Sequence, residues 1–320
     1  MMTGYYYDYQ AMHGKAPPQS MSMDRLGEMD ELVLAQTTQL CCREGCCRSS
    51  INWVLLDASN YELPGYGSGT SMMNPFELPS VGGWIHEESA FFQRCCCPGP
   101  GCRETKFVHH AGLPPRSLKY EDKHCCHIQT GTTSSFLTQE ELSSDIVAIH
   151  EKEMTCSAGV CWCCNLPYLR TLDNDGRFLG ETKYVCDGCI FVPKFIVIGQ
   201  NHNIKYLLRP DTCCMGICPR PRFGGTGGKC CRLPFLVRDP ITKEPISSNA
   251  HEGKAQVTEL WSGVVNELLF KRHAYHIAFP SSSSDRNNND GCTVEDKLTL
   301  IGSSILVDVA VFEHQNESQE

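Results

Sequence analysis

The chain has 320 residues, a formal net charge of −9 and 41% hydrophobic residues, values that suit one or two globular domains. They exclude a wholly disordered chain, and the acidic excess argues against a nucleic-acid-binding protein, which would carry a basic stripe. Residues 1–10 lack the apolar run of a secretory signal peptide, so we expect a reducing, cytosolic environment.

In chain order, residues 1–28 are rich in Tyr, Met, Gln, Pro and Ser and predict a disordered tail, with only a weak helical pattern at Met21 to Met29. From Glu31 onward, short β-branched or aromatic runs alternate with Gly, Pro, Asn or Asp and predict an all-β sandwich or barrel. The predicted strands are Leu32–Leu34, Ile51–Leu56, Thr105–His109, Ile146–Ile149, Phe178–Val185, Phe191–Ile198, Ile204–Leu208, Leu233–Val237, Ala255–Leu260 and Tyr275–Phe279.

Residues 29–315 are expected to form one β domain, followed by a short tail at 316–320. Two stretches rich in loop-forming residues, 57–83 and 110–135, predict insertions into this domain. Hairpin turns are predicted at Asn174–Gly176 and Asn201–Asn203, and further helices at Trp261–Lys271 and Val294–Glu313.

The segment from Leu298 to Phe312 is the most hydrophobic part of the chain. As a helix it would span about 22 Å, less than the roughly 30 Å of a bilayer's hydrocarbon core, and it contains Asp308. These features predict a helix that the rest of the fold surrounds, with a membrane-entering helix as the alternative. A surrounded helix requires a buried partner for Asp308 or a position near one end. The residues assigned to this helix are Leu298, Ile301, Ile305, Asp308 and Phe312.

The 22 cysteines include many that are adjacent in the sequence, such as Cys41/Cys42, Cys95 to Cys97 and Cys230/Cys231. Neighbouring Cα atoms lie about 3.8 Å apart, whereas a relaxed disulfide needs roughly 4.4–6.8 Å. Each member of a pair would therefore need its own partner. This crowding favours thiol chemistry, metal ligation or acylation over a dense disulfide framework.

An ordered series of motifs runs through the second half of the chain: Cys161-Trp-Cys-Cys164, Cys189-Ile-Phe-Val-Pro-Lys-Phe195, Leu208-Arg-Pro-Asp-Thr-Cys-Cys214, Cys230-Cys-Arg-Leu-Pro-Phe-Leu-Val-Arg-Asp239, Leu260-Trp-Ser-Gly263, Tyr275-His-Ile-Ala-Phe-Pro280 and Leu298 to Glu313. This series resembles the phospholipid scramblase family, closely over about residues 150–315 and more loosely over 30–150. The resemblance implies a closed antiparallel barrel of about twelve strands, similar to the tubby domain, around the hydrophobic C-terminal helix.

The resemblance also implies a function. Family members are linked to calcium-activated, ATP-independent, bidirectional movement of phospholipids between bilayer leaflets, so the chain would be a lipid transporter and not an enzyme. It would sit at the cytosolic face of a membrane, the plasma membrane being the expected one, held by acylation of Cys161, Cys163 and Cys164. Two or more acyl chains give stable attachment. The partner would be a phospholipid membrane, with protein partners expected at the N-terminal tail.

The same cysteines admit a second interpretation. Cys161-x₂-Cys164 and Cys186-x₂-Cys189, separated by twenty-one residues, resemble a two-knuckle site in which four thiolates bind structural zinc. Acylation and zinc binding compete for Cys161 and Cys164, so the two cannot hold together, and plain buried or surface thiols are the third alternative. With zinc, the chain would be a non-transporting, tubby-like adaptor that binds lipid headgroups or proteins.

Calcium has one candidate loop. The positions that match the family's acidic loop carry Lys271, His273 and His276, which cannot supply the 6–8 oxygen ligands that calcium takes. Downstream, Asp285, Asn287, Asn289 and Asp296 follow the spacing of an EF-hand loop, although Gly291 falls at position 7 and position 12 is Asp. If calcium binds, we expect weak binding at these four residues; a plain polar surface loop is the alternative.

Overall fold

The structure is a computed structural model of the chain. It describes residues 23–37, 51–59, 78, 80–89, 104–114, 145–153, 166–185, 192–213, 218–219, 233–250, 253–260, 273–281 and 291–312. Several of the sequence-based predictions lie outside these ranges: the helix at Trp261–Lys271, the acylation cluster, the zinc set, three of the four calcium ligands, the tail at 316–320 and most of the two insertions.

Within the described ranges the chain forms two α-helices and fourteen strands. These are α1 (Met23–Glu28), β1 (Glu31–Gln36), β2 (Asn52–Asp57), β3 (Ser80–Glu88), β4 (Thr105–Ala111), β5 (Ile146–Lys152), β6 (Tyr168–Leu172), β7 (Phe178–Val185), β8 (Lys194–Ile198), β9 (Ile204–Pro210), β10 (Thr212–Cys213), β11 (Cys218–Pro219), β12 (Pro234–Arg238), β13 (Gln256–Glu259), β14 (Ala274–Ala278) and α2 (Val294–Val307). A π-helical turn, Asp308–Phe312, continues α2.

Twelve of the strands close into an antiparallel barrel in the order β1-β14-β13-β12-β9-β8-β7-β6-β5-β4-β3-β2. Closure depends on β1, which pairs with β2 on one side and with β14 on the other. The strands β10 and β11 form a separate ribbon. The predicted all-β barrel of about twelve strands is therefore confirmed.

Side chains alternate along the strands between the lumen and the outer face, as the period of two in a strand requires. The lumen holds several of the largest buried side chains, among them Trp53, Phe107, Phe235 and Tyr275. A smaller apolar cluster, which includes Val33, lies on the other face of β1, and so the barrel wall is buried on both sides there.

Helix α2 occupies the lumen. From Leu298 to Asp308 its side chains are almost fully buried, and it contacts strands on opposite sides of the barrel. Two glycines allow this close fit. A Cβ at Gly180 would clash with Thr299 Oγ1, and one at Gly302 would lie 2.8 Å from His150 Nδ1. The prediction of a surrounded helix is confirmed.

The two ends of the barrel differ. We call the end where α2 begins the helix-entry end, and the opposite end, where the helix reaches Asp308, the Asp308 end. Helix α1 lies at the helix-entry end, where Lys297 Nζ donates to the carbonyl oxygens of Leu26, Gly27 and Met29 at 3.1, 2.7 and 2.6 Å. Leu26 and Gly27 belong to the last turn of α1 and Met29 follows it, so Lys297 caps the C-terminal end of this helix.

The structure differs from the sequence analysis in four strands and one helix. Strands β3, β6, β10 and β11 were not predicted, and β3 begins at Ser80, inside the stretch assigned to an insertion. Helix α1 overlaps the weak pattern at Met21–Met29, and Leu26 within it is fully buried, although these residues were assigned to a tail. Both predicted hairpin turns are present, with Gly176 at φ 79° and His202 at φ 61°.

Replacing Gly302 with Ala tests the fit of the helix. Helix propensity alone would make this change stabilising by about 1 kcal/mol. Because the new Cβ would meet His150, Leu169 and Thr171 at 2.8–3.0 Å, we expect overpacking to dominate and the free energy of unfolding to fall by about 1–3 kcal/mol. Urea unfolding measures this free energy. Gly199→Ala, whose Cβ would meet nothing closer than 3.5 Å, is the control. An increase in stability for Gly302→Ala would contradict the fit.

Candidate functional site around Asp308

The N-terminal end of α2 is fixed by a capping box. Thr293 Oγ1 accepts from the backbone N–H of Asp296, and Asp296 Oδ2 accepts from the backbone N–H of Thr293 at 2.8 Å. Lys205 Nζ also donates to Asp296 Oδ2, at 2.6 Å. One oxygen of Asp296 thus already serves both the helix start and an ion pair.

This arrangement bears on the calcium candidate. Asp296 is the one predicted ligand within the described residues; Asp285, Asn287 and Asn289 lie outside them. A calcium ion at Asp296 would have to use Oδ1 or compete with Lys205 for Oδ2. Calcium binding at this loop stays a prediction.

Hydroxyl groups on α2 are satisfied inside the lumen. Ser303 Oγ donates to the Thr299 carbonyl at 2.8 Å and lies 2.7 Å from Thr182 Oγ1 on β7, while Ser304 Oγ donates to the Leu300 carbonyl at 3.0 Å. Serine hydroxyls that bond back to the preceding turn can be buried without an unpaired donor. This explains how a segment containing two serines fits a closed lumen.

Asp308 is the charged group at the far end of the helix and is fully buried. Its carboxylate accepts from Gln36 Nε2 on β1 at 2.9 Å and from the Tyr275 hydroxyl on β14 at 2.8 Å. The α-helix changes to the π-helical turn at this residue. The requirement that Asp308 find a buried partner is therefore met, and the partners come from two neighbouring strands of the wall.

A histidine links Asp308 to a second carboxylate. Nδ1 of His273 lies 2.9 Å from Glu259 Oε1 and 3.4 Å from Asp308 Oδ1. The backbone N–H of Gln36 donates to the His273 carbonyl at 2.9 Å, and the backbone N–H of His273 donates to Gln36 Oε1 at 3.4 Å. Gln36, Glu259, His273, Tyr275 and Asp308 form what we call the Asp308 cluster, which joins β1, β13 and β14 to the helix.

Sequence reasoning identified only Asp308 in this cluster. The available signal was the alternation along β14 (Ala274–Ala278) and the residue before it. Tyr275 follows His273 by two residues, so the two side chains lie on the same face of the extended chain. Nothing in the sequence places Gln36 beside them, because their strands are about 240 residues apart. Leu298, Ile301 and Ile305 are buried as predicted, and Phe312 belongs to the π-helical turn.

Two further histidines line the opposite wall. His109 on β4 and His150 on β5 are fully buried with ring centroids 6.1 Å apart, and Thr171 Oγ1 lies 3.0 Å from His150 Nδ1. In the described part of the chain, both nitrogens of His109 and Nε2 of His150 have no hydrogen-bond partner. Burial lowers the pKa of His150 to about 3, and burial with the nearby His150 and His110 holds the pKa of His109 well below its usual value.

Most cysteines belong to connections at the Asp308 end, because the strands they join end or begin there. These connections are 37–51, 89–104 and 153–167, with four cysteines each, 186–193 with two, and 211–233 with five. Cys161, Cys163, Cys164, Cys186 and Cys189 lie outside the described residues. The connections that carry them join β5 to β6 and β7 to β8, and both acylation and zinc binding stay predictions.

The described residues were searched for metal-binding clusters and for membrane-spanning helices. They contain no group of three or more His, Cys, Asp or Glu side chains arranged to hold a metal ion. Neither helix in these ranges has the length and apolar character needed to cross a membrane. What the Asp308 cluster does, as the contacts show, is bind the end of the helix to the barrel wall.

We compared the chain with known families, curated proteins and solved structures. No family model matches the chain, no curated protein is significantly similar to it, and no solved structure matches its fold.

Asp308→Ala tests the cluster. Removing the carboxylate leaves the Gln36 amide and the Tyr275 hydroxyl buried without this acceptor, so we expect the free energy of unfolding to fall by about 3–5 kcal/mol. Asp308→Asn, which keeps one acceptor oxygen, should cost less. Asp175→Ala in the exposed β6–β7 turn is the control. Equal urea midpoints for Asp308→Ala and the parent would show that the cluster does not hold the helix.

The buried histidines predict a loss of stability in acid. Both are neutral in the folded chain, whereas unfolded histidine takes up a proton below about pH 6.5. Stability is therefore fully present above that pH and falls as the pH drops below it, by up to about 1.4 kcal/mol per pH unit for each histidine. When urea unfolding is measured between pH 7.5 and pH 5, the free energy of unfolding of His150→Gln should fall less steeply with decreasing pH than that of the parent. Phe107→Leu is the control: it removes side-chain volume but no titrating group, so its free energy of unfolding should depend on pH as in the parent. The prediction is contradicted if His150→Gln also keeps the pH dependence of the parent.

Proposed function

We propose that the chain is a membrane-associated barrel of the phospholipid scramblase family that takes part in ATP-independent, bidirectional movement of phospholipids between leaflets. The observation that carries the proposal is the architecture: twelve antiparallel strands close around an apolar C-terminal helix, as the ordered motifs imply. Several of those motifs coincide with β8, β9, β12, β14 and α2.

The filled lumen constrains the mechanism. While α2 occupies the barrel, no lipid can pass through the centre, because even a Cβ has no room at Gly180 or Gly302. In this proposal lipid transfer uses the outer surface of the barrel, or the helix leaves the lumen first. Its withdrawal would break the bonds of Asp308 to Gln36 and Tyr275. The chain's own residues hold the helix in place and form no covalent intermediate.

The filled lumen also favours a second candidate, a non-transporting adaptor of the tubby-like type that carries structural zinc at Cys161, Cys164, Cys186 and Cys189. A barrel stabilised by its own helix is a rigid platform for binding a headgroup or a protein. In this candidate these four cysteines serve as metal ligands and are not acylated.

Acyl labelling in cells separates the two candidates. The scramblase proposal predicts hydroxylamine-sensitive labelling and membrane fractionation, both lost when Cys161, Cys163 and Cys164 are changed to Ser. Changing Cys125 and Cys126 to Ser is the matched control. The purified chain should also move labelled phospholipids in liposomes, measured with and without calcium. No transfer in either condition, together with about one zinc per chain that Cys186→Ser and Cys189→Ser remove, would overturn transport in favour of the adaptor.

A further inference from the structure

The segment before β1 covers the helix-entry end of the barrel. Leu26 in α1 is fully buried as part of the main core cluster. Arg25 Nη1 donates to a carbonyl of β3 at 3.1 Å, and the Asp30 carbonyl accepts from the backbone N–H of Phe279, the residue after β14, at 2.9 Å. The segment is therefore fixed to the barrel at two places, with an apolar anchor between them. We call Met23–Asp30 the N-terminal clasp.

One side chain of α2 is bonded to the clasp. Lys297 Nζ donates to three carbonyl oxygens of the clasp and lies 5.2 Å from the centre of the Phe279 ring. Lys297 is 5% exposed and, among the described residues, has no carboxylate within salt-bridge distance. The clasp is thus the main source of acceptors for this buried ammonium. A Cβ at Gly27 would lie 3.3 Å from Val294, so the clasp also packs directly on the first residue of the helix.

The contacts that hold the two ends of α2 differ in kind. The partners of Asp308 are side chains of β1 and β14, which belong to the closed wall. The bonds of Lys297 go to the clasp, which is not a strand of the barrel. Lys205 on β9 also bonds to Asp296 at this end, but its side chain is 21% exposed and water screens the ion pair. The clasp can therefore detach while all twelve strands stay paired.

The clasp and the start of α2 stabilise each other. Helix α1 has six residues, too few for a helix that is stable alone in water, so it persists because it is docked. The fourteen residues of α2 are also only marginally helical in water. Without the clasp, Lys297 would exchange its carbonyl partners for water, and the apolar end of the lumen would lose its cover.

We propose that the N-terminal clasp controls the release of α2, so that detachment of the clasp and opening of the first two turns of the helix are one local event in a barrel that stays closed. Segments held by few contacts open at a lower free energy than the strands of a core. The inference goes beyond the proposed function and applies to a transporter and to an adaptor alike. For a transporter, it supplies the step in which the helix begins to leave the lumen.

Native-state hydrogen exchange of the full chain in low urea tests the inference without any substitution. The Phe279 N–H reports on the clasp, because its acceptor is the Asp30 carbonyl, and the amides of Leu298 to Gly302 report on the helix. Both reporters should open with the same free energy and the same dependence on urea. Amides within β5 should exchange more slowly and depend more steeply on urea, because they require the wall to open.

Two substitutions test the link from either side. Leu26→Ala removes the apolar anchor of the clasp, and Lys297→Met keeps a long side chain on the helix but removes its ammonium. Each should raise the exchange rates of both reporters by about tenfold or more, the size expected for a buried Leu→Ala change or for lost bonds to a charged group. Val33→Ala is the control. Val33 lies in the separate cluster on the outer face of β1, so this change should leave both reporters unchanged.

Three outcomes would overturn the inference. In the first, the two reporters of the parent open with different free energies. In the second, Leu26→Ala speeds exchange of the Phe279 N–H and leaves the amides of Leu298 to Gly302 unchanged. In the third, these helix amides exchange only together with the amides of the wall. Liposome transfer and acyl labelling take no part in this test, so the proposed function stands or fails separately.

Discussion

A carboxylate buried inside a barrel is stable only if the wall supplies donors to it, and this requirement organises the structure around Asp308. The donors come from Gln36 on β1 and Tyr275 on β14, strands far apart in the chain that become neighbours only when the barrel closes. Closure and helix burial therefore depend on each other. The closed wall satisfies the carboxylate, and the helix fills the space that the closed wall encloses.

The sequence was sufficient for the class of fold because its signals were local. Alternation and turn residues located most strands, and the run from Leu298 to Phe312 indicated a surrounded helix. Strand β3 was missed because Gly82 and Gly83 interrupt its pattern and it follows a stretch rich in loop-forming residues. Strand β6 was missed because it is five residues long and follows Pro167.

The rest of the site could not be predicted, because it depends on contacts across the barrel. Which wall residues face Asp308 is decided by the pairing of β1 with β14, and local sequence patterns do not determine a pairing between strands about 240 residues apart. The same holds for His109 and His150, whose burial against the helix gives them their low pKa values. A histidine in a strand is as compatible with solvent as with a lumen until the neighbouring strands are in place.

The pairing of β1 with β14 also governs the order of events during synthesis. Some 240 residues separate the partners, and the helix that fills the lumen comes later still. Until β14 leaves the ribosome, the nascent chain carries two open sheet edges, at β1 and at β13, and until the helix follows, the apolar interior stays unfilled. Open edges and exposed cores are what chaperones bind and what aggregates form from. A chain interrupted before Val294 would therefore be a poorly folded polypeptide, and not a smaller working version of this protein.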